Sequence, residues 1–256
     1  MTIKDRILRI IPPRYELAAR FHFSRVLGRL DDEARIIDQI AQHPRMAIDI
    51  GANVGLYAYR LAQLFPRVAA FEPIADCARI IANSSAPIEV YCVALSSRTG
   101  DGILSMPRSR RPEDKCLASL SNDFGDGTRV TVPLRTLDSY GFTNVDFIKI
   151  DVEGHELEVL RGAIDTIRRC EPAMLIEIEQ RHHRQPIDEV FREIQSLNYD
   201  GSFLPTQGRR NGRREDSDEP GSLLAPLSAF CLTTHQSGDS LSRNYINNFV
   251  FRRNQR

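Results

Sequence analysis

The chain has 256 residues, enough for one α/β domain with a substantial core. Its 34 Lys and Arg balance its 34 Asp and Glu, so no overall field draws it to nucleic acid or to acidic partners. Five scattered cysteines without a Cys-x-x-Cys spacing argue against a zinc site and a disulfide framework and fit a reducing compartment.

Residues 1–44 read as a helical cap. Leu17, Phe21, Ser24 and Gly28 recur between arginines, and Ile36, Ile37 and Ile40 mark a second helix ending near Pro44. The first thirty residues carry seven basic side chains against Asp5 and Glu16. Such a segment suits peripheral contact with an anionic membrane surface. A lid or docking helix over the core is the plainer account, and the short apolar face favours it. Met1–Arg20 is broken by charges and by Pro12-Pro13, so no secretory signal is expected, and no apolar run is long enough to span a bilayer.

From 45 to 256 strand and helix alternate. Strands are expected near 46–50, 67–72, 88–93, 145–151, 173–179, 227–233 and 245–252, with helices near 54–64, 74–84, 154–169 and 186–197. The pattern predicts a mostly parallel seven-stranded sheet with right-handed crossovers and an antiparallel last strand. An insertion at 101–140, rich in turn residues around Asn122–Gly127, reads as a β-rich flap. Residues 207–221, rich in Gly, Arg and Asp, read as a mobile loop.

The first strand runs into Asp49-Ile50-Gly51-Ala52-Asn53-Val54-Gly55, and the second ends in Phe71-Glu72-Pro73. The glycines permit a sharp turn that aims free backbone N–H groups at a ligand. Glu72, placed at its strand end, suits both hydroxyls of a ribose. A dinucleotide fingerprint would need a third glycine in register and would not place an acid just before the turn. Asp49 instead suits a ligand bearing ammonium or sulfonium charge. S-adenosylmethionine carries both, and it is the expected cofactor.

The same residues, with Val93-Ala94-Leu95-Ser96, the long stretch Asp146 to Gly162 (Asp-Phe-Ile-Lys-Ile-Asp-Val-Glu-Gly-His-Glu-Leu-Glu-Val-Leu-Arg-Gly) and the closing Asn248-Phe249-Val250-Phe251, resemble the FkbM-type S-adenosylmethionine-dependent methyltransferases. The resemblance implies a Rossmann-like class I fold and methyl transfer. More narrowly, the length and the Leu17–Leu30 region look most like bacterial members that methylate sugar hydroxyls, including the fucose of nodulation signals. The cofactor set is then Asp49, Gly51, Ala52, Asn53 and Gly55 near the methionine and ribose, Glu72 and Pro73 at the ribose, Ala94 and Leu95 beside the adenine, and Asp151.

Asp49, Glu72, Asp151 and Glu177 close four separate strands, so four carboxylates are expected on one rim. Removing a hydroxyl proton needs a base, and Asp151, Glu153, His155, Glu177 and His182 are the candidates. The Asp151–His155 segment is preferred. Mg²⁺ on Asp151 and Glu177 is an alternative that is not favoured, because the Asp-Asn pair usual in magnesium-dependent relatives is replaced by Glu177-Ile178-Glu179. The expected acceptor is a small molecule, a glycan or a glycolipid. A polyketide or lipid hydroxyl, a nitrogen acceptor and a non-catalytic cofactor-binding subunit are the rivals, and the Asn/Asp-Pro-Pro-Tyr run common with nitrogen acceptors is absent. Tyr15, Phe21, Phe23, Phe124 and Tyr140 are offered for stacking on a sugar ring. A homodimer is left open, and a cytoplasmic or membrane-peripheral location is expected.

Overall fold

A computed structural model describes residues 8, 10–28, 32–41, 44–108, 118–122, 125–183, 186–204, 224–230 and 246–254. In chain order these form α1 (Pro13–Val26), α2 (Ile37–Ile40), β1 (Met46–Ile50), α3 (Leu56–Leu61), β2 (Arg67–Phe71), α4 (Ala75–Ala82), β3 (Ile88–Tyr91), β4 (Ala94–Leu95), β5 (Gly100–Met106), β6 (Thr128–Arg135) and β7 (Phe147–Ile150). There follow α5 (Glu156–Arg161), α6 (Ile164–Cys170), β8 (Ala173–Glu177), α7 (Asp188–Ser196), β9 (Tyr199–Phe203), β10 (Ala225–Pro226) and β11 (Asn248–Arg253).

Among the described residues the main sheet has eight strands, in the order β10-β9-β11-β8-β7-β1-β2-β3. The run from β3 to β8 is parallel, and β11 enters antiparallel between β8 and β9. The chain winds one way from β1 to β3 and the other way from β7 to β8. The switch point, where open α/β sheets bind ligands, therefore lies between β1 and β7.

Both faces of the sheet are covered, so the central strands carry nearly continuous apolar runs. Alternate residues feed opposite layers. Ile48, Ile50, Ile148, Ile150, Ile176 and Phe249 join one cluster; Ala47, Phe147, Leu175 and Val250 join the other, with Leu17, Ile37, Leu61 and Ile81 from the helices. Helix α1 starts on Pro13, whose fixed φ suits a first helical position, and buries Leu17, Phe21 and Ser24. It thus shares the second layer with β1 rather than standing apart.

Four expectations need correction. The strand near 227–233 is instead a 3₁₀ turn over Leu227–Ala229, and residues 231–233 lie outside the described set. The sheet gains β9, whose Tyr-Asp-Gly-Ser-Phe has weak strand propensity but buries both ends, Tyr199 and Phe203. The helix near 154–169 is two helices. Gly162 lies against the Ser96 carbonyl so closely that a Cβ there would clash, and the chain restarts at Ile164. Tyr140 is not free for a sugar ring; it meets Phe71 edge-on at 5.0 Å and Tyr91 at 4.9 Å in an aromatic cluster. Phe124 and the expected mobile loop at 207–221 lie outside the described residues. The insertion does form β structure: β5 pairs antiparallel with β6, which pairs with β4.

Candidate active site

The β1–α3 turn folds back on itself. Gly51 and Ala52 donate their N–H groups to the Phe71 carbonyl, Gly55 donates to Ala52, and Asn53 donates to Glu72. The expectation of free N–H groups aimed at a ligand is therefore wrong for these four residues. These four N–H groups offer a pyrophosphate no cradle. The glycines answer to protein neighbours. Gly51 (φ 78°) presses on the Asp151 carbonyl where a Cβ would collide, and a Cβ on Gly55 (φ 87°) would lie 2.7 Å from Ile81.

Glu72 is 4% exposed, and its two oxygens accept 2.7 Å hydrogen bonds from the Asn53 and Ile74 N–H groups. Burial pushes its carboxyl up to about 7, against the pull of those two donors. It faces a cavity of about 240 Å³ over the switch point. Its lining is polar at Gly51, Asn53, Glu72, Asp151, Glu153 and His155. It is apolar at Ile74, Val93, Ala94, Leu95 and, out of the insertion, Leu104 and Leu120, and Pro73 lines it beside Glu72.

Asp49, Ala52, Gly55, Glu177 and His182 are not among the wall residues. Asp49 points to the α3 side of the sheet, as strand alternation requires, and is completely buried. Among the described residues neither of its oxygens has a hydrogen-bond partner; the Ala58 N–H eases its charge from outside bonding geometry. Burial raises its pKa to about 6, with Lys149 pulling the other way. Lys149, its register neighbour on β7, is 2% exposed. The Lys149 ammonium donates to Asp151 Oδ2 at 2.8 Å and sits 4.4 Å over the Tyr57 ring. Burial opposes its charge, but Asp151, Asp49 and Glu177 hold its pKa above the ordinary lysine value. Glu177 accepts from Asn247 Nδ2. Burial and the charge of Asp151 raise its pKa well above the usual carboxylate range.

A second chain of groups continues behind Asp151. Glu153 (φ 52°) lies 2.9 Å from His182 Nδ1, and Glu179 lies 3.0 Å from His182 Nε2. Burial disfavours the imidazolium, yet the two carboxylates win and hold its pKa at about 9. Both nitrogens are engaged, so His182 serves as a bound cation rather than as a free base. Glu179 also pairs with Arg181 and accepts from Asn247 at 2.7 Å; despite burial these partners hold its pKa down to about 2.

His155 is also bound on both sides. Its Nδ1 lies 2.9 Å from Ser121 Oγ and its Nε2 lies 3.0 Å from Ser96 Oγ, while burial lowers its pKa. It joins the insertion to the rim after β4. Ser119 donates to the Glu153 carbonyl at 2.6 Å, and Asn122 donates to the His182 carbonyl at 2.9 Å. Sequence reading missed these contacts, together with Lys149, Glu179 and Asn247. Lys149 alone left a signal, as a lysine inside a buried strand.

Among the described residues no three His, Cys, Asp or Glu side chains converge in a metal-holding geometry. Asp151 and Glu177, the pair considered for Mg²⁺, already face Lys149 and Asn247.

Residues 49–200 match the methyltransferase FkbM domain. The chain is 27% identical over 152 residues to the methyltransferase sdnD of Sordaria araneosa, an alignment covering 45% of this chain and 59% of that protein. Its fold is similar to the crystal structure of a methyltransferase FkbM from Methylobacillus flagellatus, with a TM-score of 0.52 and 16% identity over 92% of this chain and 53% of that one. The chain thus spans somewhat over half the length of either relative.

Proposed function

The chain belongs to the FkbM methyltransferase family, and from that premise we propose that its cavity binds S-adenosylmethionine and that it methylates a hydroxyl of a sugar, glycan or glycolipid. The observation that carries the cofactor reading is the mixed lining of the cavity around Glu72. A buried carboxylate, locked by two backbone donors, shares that cavity with a set of apolar side chains. Glu72 would meet the ribose hydroxyls, the Ala94–Leu95 and Leu104–Leu120 surfaces the adenine, and Asp151 the cationic methionine end. When bound, the sulfonium supplies an activated methyl group.

The chain's own residues do the rest. Lys149 holds one oxygen of Asp151 in place at the cavity wall. Asp151 is therefore the group best placed to take the proton of an acceptor hydroxyl as the oxygen becomes the nucleophile. His155, held neutral between two serines, fixes the insertion that adds to the apolar lining. Resemblance to sugar-methylating bacterial members and the absence of a nitrogen-acceptor run after β7 support the oxygen acceptor. The test is calorimetric binding of S-adenosylmethionine, followed by mass spectrometry of surface glycans from cells with and without the gene. No cofactor binding sinks the first half. Cofactor binding with unchanged glycans sinks the second.

A further inference from the structure

We propose that the outer face of α1 is a docking surface for an anionic lipid bilayer. Among the described residues, four of the six exposed large apolar side chains lie in or beside this helix: Ile10 (81% exposed), Tyr15 (47%), Val26 (83%) and Leu27 (54%). Tyr15, His22 and Val26 are seven and eleven residues apart, so they share one line along the helix. Leu17, Phe21 and Ser24 occupy the opposite line and are buried, which fixes the apolar stripe outward. Arg14 and Arg25 flank it, both exposed, and the Arg14 guanidinium lies 4.7 Å over the Tyr15 ring. An arginine paired with a tyrosine suits the headgroup level, where one end of each side chain is apolar and the other charged.

Charge fixes the occupant. Residues 1–30 carry seven basic and two acidic side chains, a net of +5, whereas the whole chain is neutral, so the remainder is −5. On α1 itself Arg14, Arg20 and Arg25 stand against Glu16, a net of +2, so an anionic surface is attracted at the helix. Asp31, Asp32 and Glu33 follow the helix in sequence, past the turn at Gly28 (φ 64°), and bound the basic segment at that end. The inner side of α1 touches the β1–α3 turn: a Cβ on Gly55 would lie 3.2 Å from Leu17 Cδ1. A docked bilayer would thus lie about one helix diameter, ~10 Å, from the β1–α3 turn.

The experiment is flotation of the full chain with two kinds of vesicle, phosphatidylcholine alone and phosphatidylcholine mixed with phosphatidylglycerol. The protein should rise with the mixed vesicles, stay behind with the neutral ones, and be released by salt. Arg14→Glu combined with Arg25→Glu should weaken the partitioning about tenfold or more. Val26→Asp with Leu27→Asp should also lower it, and both pairs should keep the wild-type circular dichroism and melting temperature, because all four side chains are exposed. No flotation, equal flotation on neutral vesicles, or unchanged flotation of the arginine pair would overturn the proposal. So would an arginine variant that altered the sedimentation of free protein, since the stripe would then join copies of the chain.

Discussion

The ammonium of Lys149 lies 2.8 Å from Asp151 Oδ2, two residues further along the same strand end and on the same face of the sheet. Asp151 reaches the cavity wall, whereas Lys149 is sealed beneath it among Asp49, Glu177 and the ring of Tyr57. One buried cation therefore serves three carboxylates. Lys149→Met removes it and leaves those acids uncompensated, a loss on the order of 3–5 kcal/mol. Urea unfolding should show that loss, and adding Asp49→Asn should recover part of it. A single variant within about 1 kcal/mol of wild type would show that the acids are neutral in the fold and that Lys149 is not their counter-ion.

Glu72 ties cofactor affinity to pH. Its carboxyl titrates at about 7 in the free protein, above the ordinary 4.5. The ionised form is the better acceptor for two hydroxyls, so affinity for S-adenosylhomocysteine should climb as pH rises toward about 7 and level off beyond it. Glu72→Gln should weaken binding by about 1.5–3 kcal/mol, the range for a hydrogen bond to a charged group, and flatten the pH dependence. It should also loosen the turn, since one oxygen that meets the Asn53 or Ile74 N–H is lost. Calorimetry giving the same pH dependence in both proteins would remove Glu72 from the ribose.

Much of this arrangement was legible in the sequence, for definite reasons. The β1 turn and the Glu72 strand end are local patterns, and strand alternation placed four carboxylates at one end of the sheet. The side of the sheet on which each acid lies was not read. Asp49 and Glu72 are both strand-end acids, yet one is entombed under α3 and the other faces the cavity. Nor could periodicity show that the turn spends its N–H groups on Phe71 and Glu72, because that depends on pairing between β1 and β2. The link from His155 to Ser96 and Ser121 spans 59 and 34 positions, beyond any window of local pattern. Strand β9 escaped because burial at its two ends, not propensity, makes it a strand.

Metal removal separates two uses of Asp151 and Glu177. Both carboxylates already have protein partners in Lys149 and Asn247, and a divalent ion would have to displace the ammonium. Exhaustive EDTA treatment should therefore leave methyl transfer intact. Complete loss restored by Mg²⁺ alone would mean that Lys149 moves aside and that the metal reading is right.

His182 should write itself into the stability curve. Its folded pKa of about 9 lies above the ordinary 6.5, so its contribution is full below 6.5 and is lost as pH rises through about 9. Asp49 and Glu72 also cost stability as pH rises, but their windows close at about 6 and about 7. The decline from about 7 to about 9 then holds His182, on the order of 2 kcal/mol after solvent screening, together with Glu177, whose carboxyl is also held well above its usual range. His182→Gln should remove the histidine's share of that limb. It should also shrink the acid limb to which Glu179 contributes as pH falls from 4.5 toward about 2, because the His182 hydrogen bond helps hold Glu179 down, with Arg181 and Asn247 keeping the rest. Melting temperatures across the range decide it. An unchanged alkaline limb would mean that His182 is neutral between its two glutamates.

The division of labour between Asp151 and His155 is the sharpest test of the site. Asp151 stands on the cavity wall with one oxygen held by Lys149. His155 lines the same cavity, but both of its nitrogens are engaged by serines and burial lowers its pKa. A proton acceptor and a structural clamp fail differently. Asp151→Asn should lower turnover by ~10²–10⁴-fold even at saturating cofactor, the usual worth of a placed base, while cofactor affinity falls by about 10–100-fold, the loss of one contact to a charged group. His155→Ala frees Ser121 and so loosens the insertion that carries Leu120 to the apolar lining. It should therefore weaken cofactor binding and turnover together, and make the insertion easier to cleave by protease. Ser121→Ala should reproduce the His155→Ala pattern in weaker form, because it cuts the same link from the other side. If His155→Ala instead kills turnover while affinity and protease resistance stay normal, the imidazole must leave its serines during the reaction, and His155, not Asp151, takes the proton.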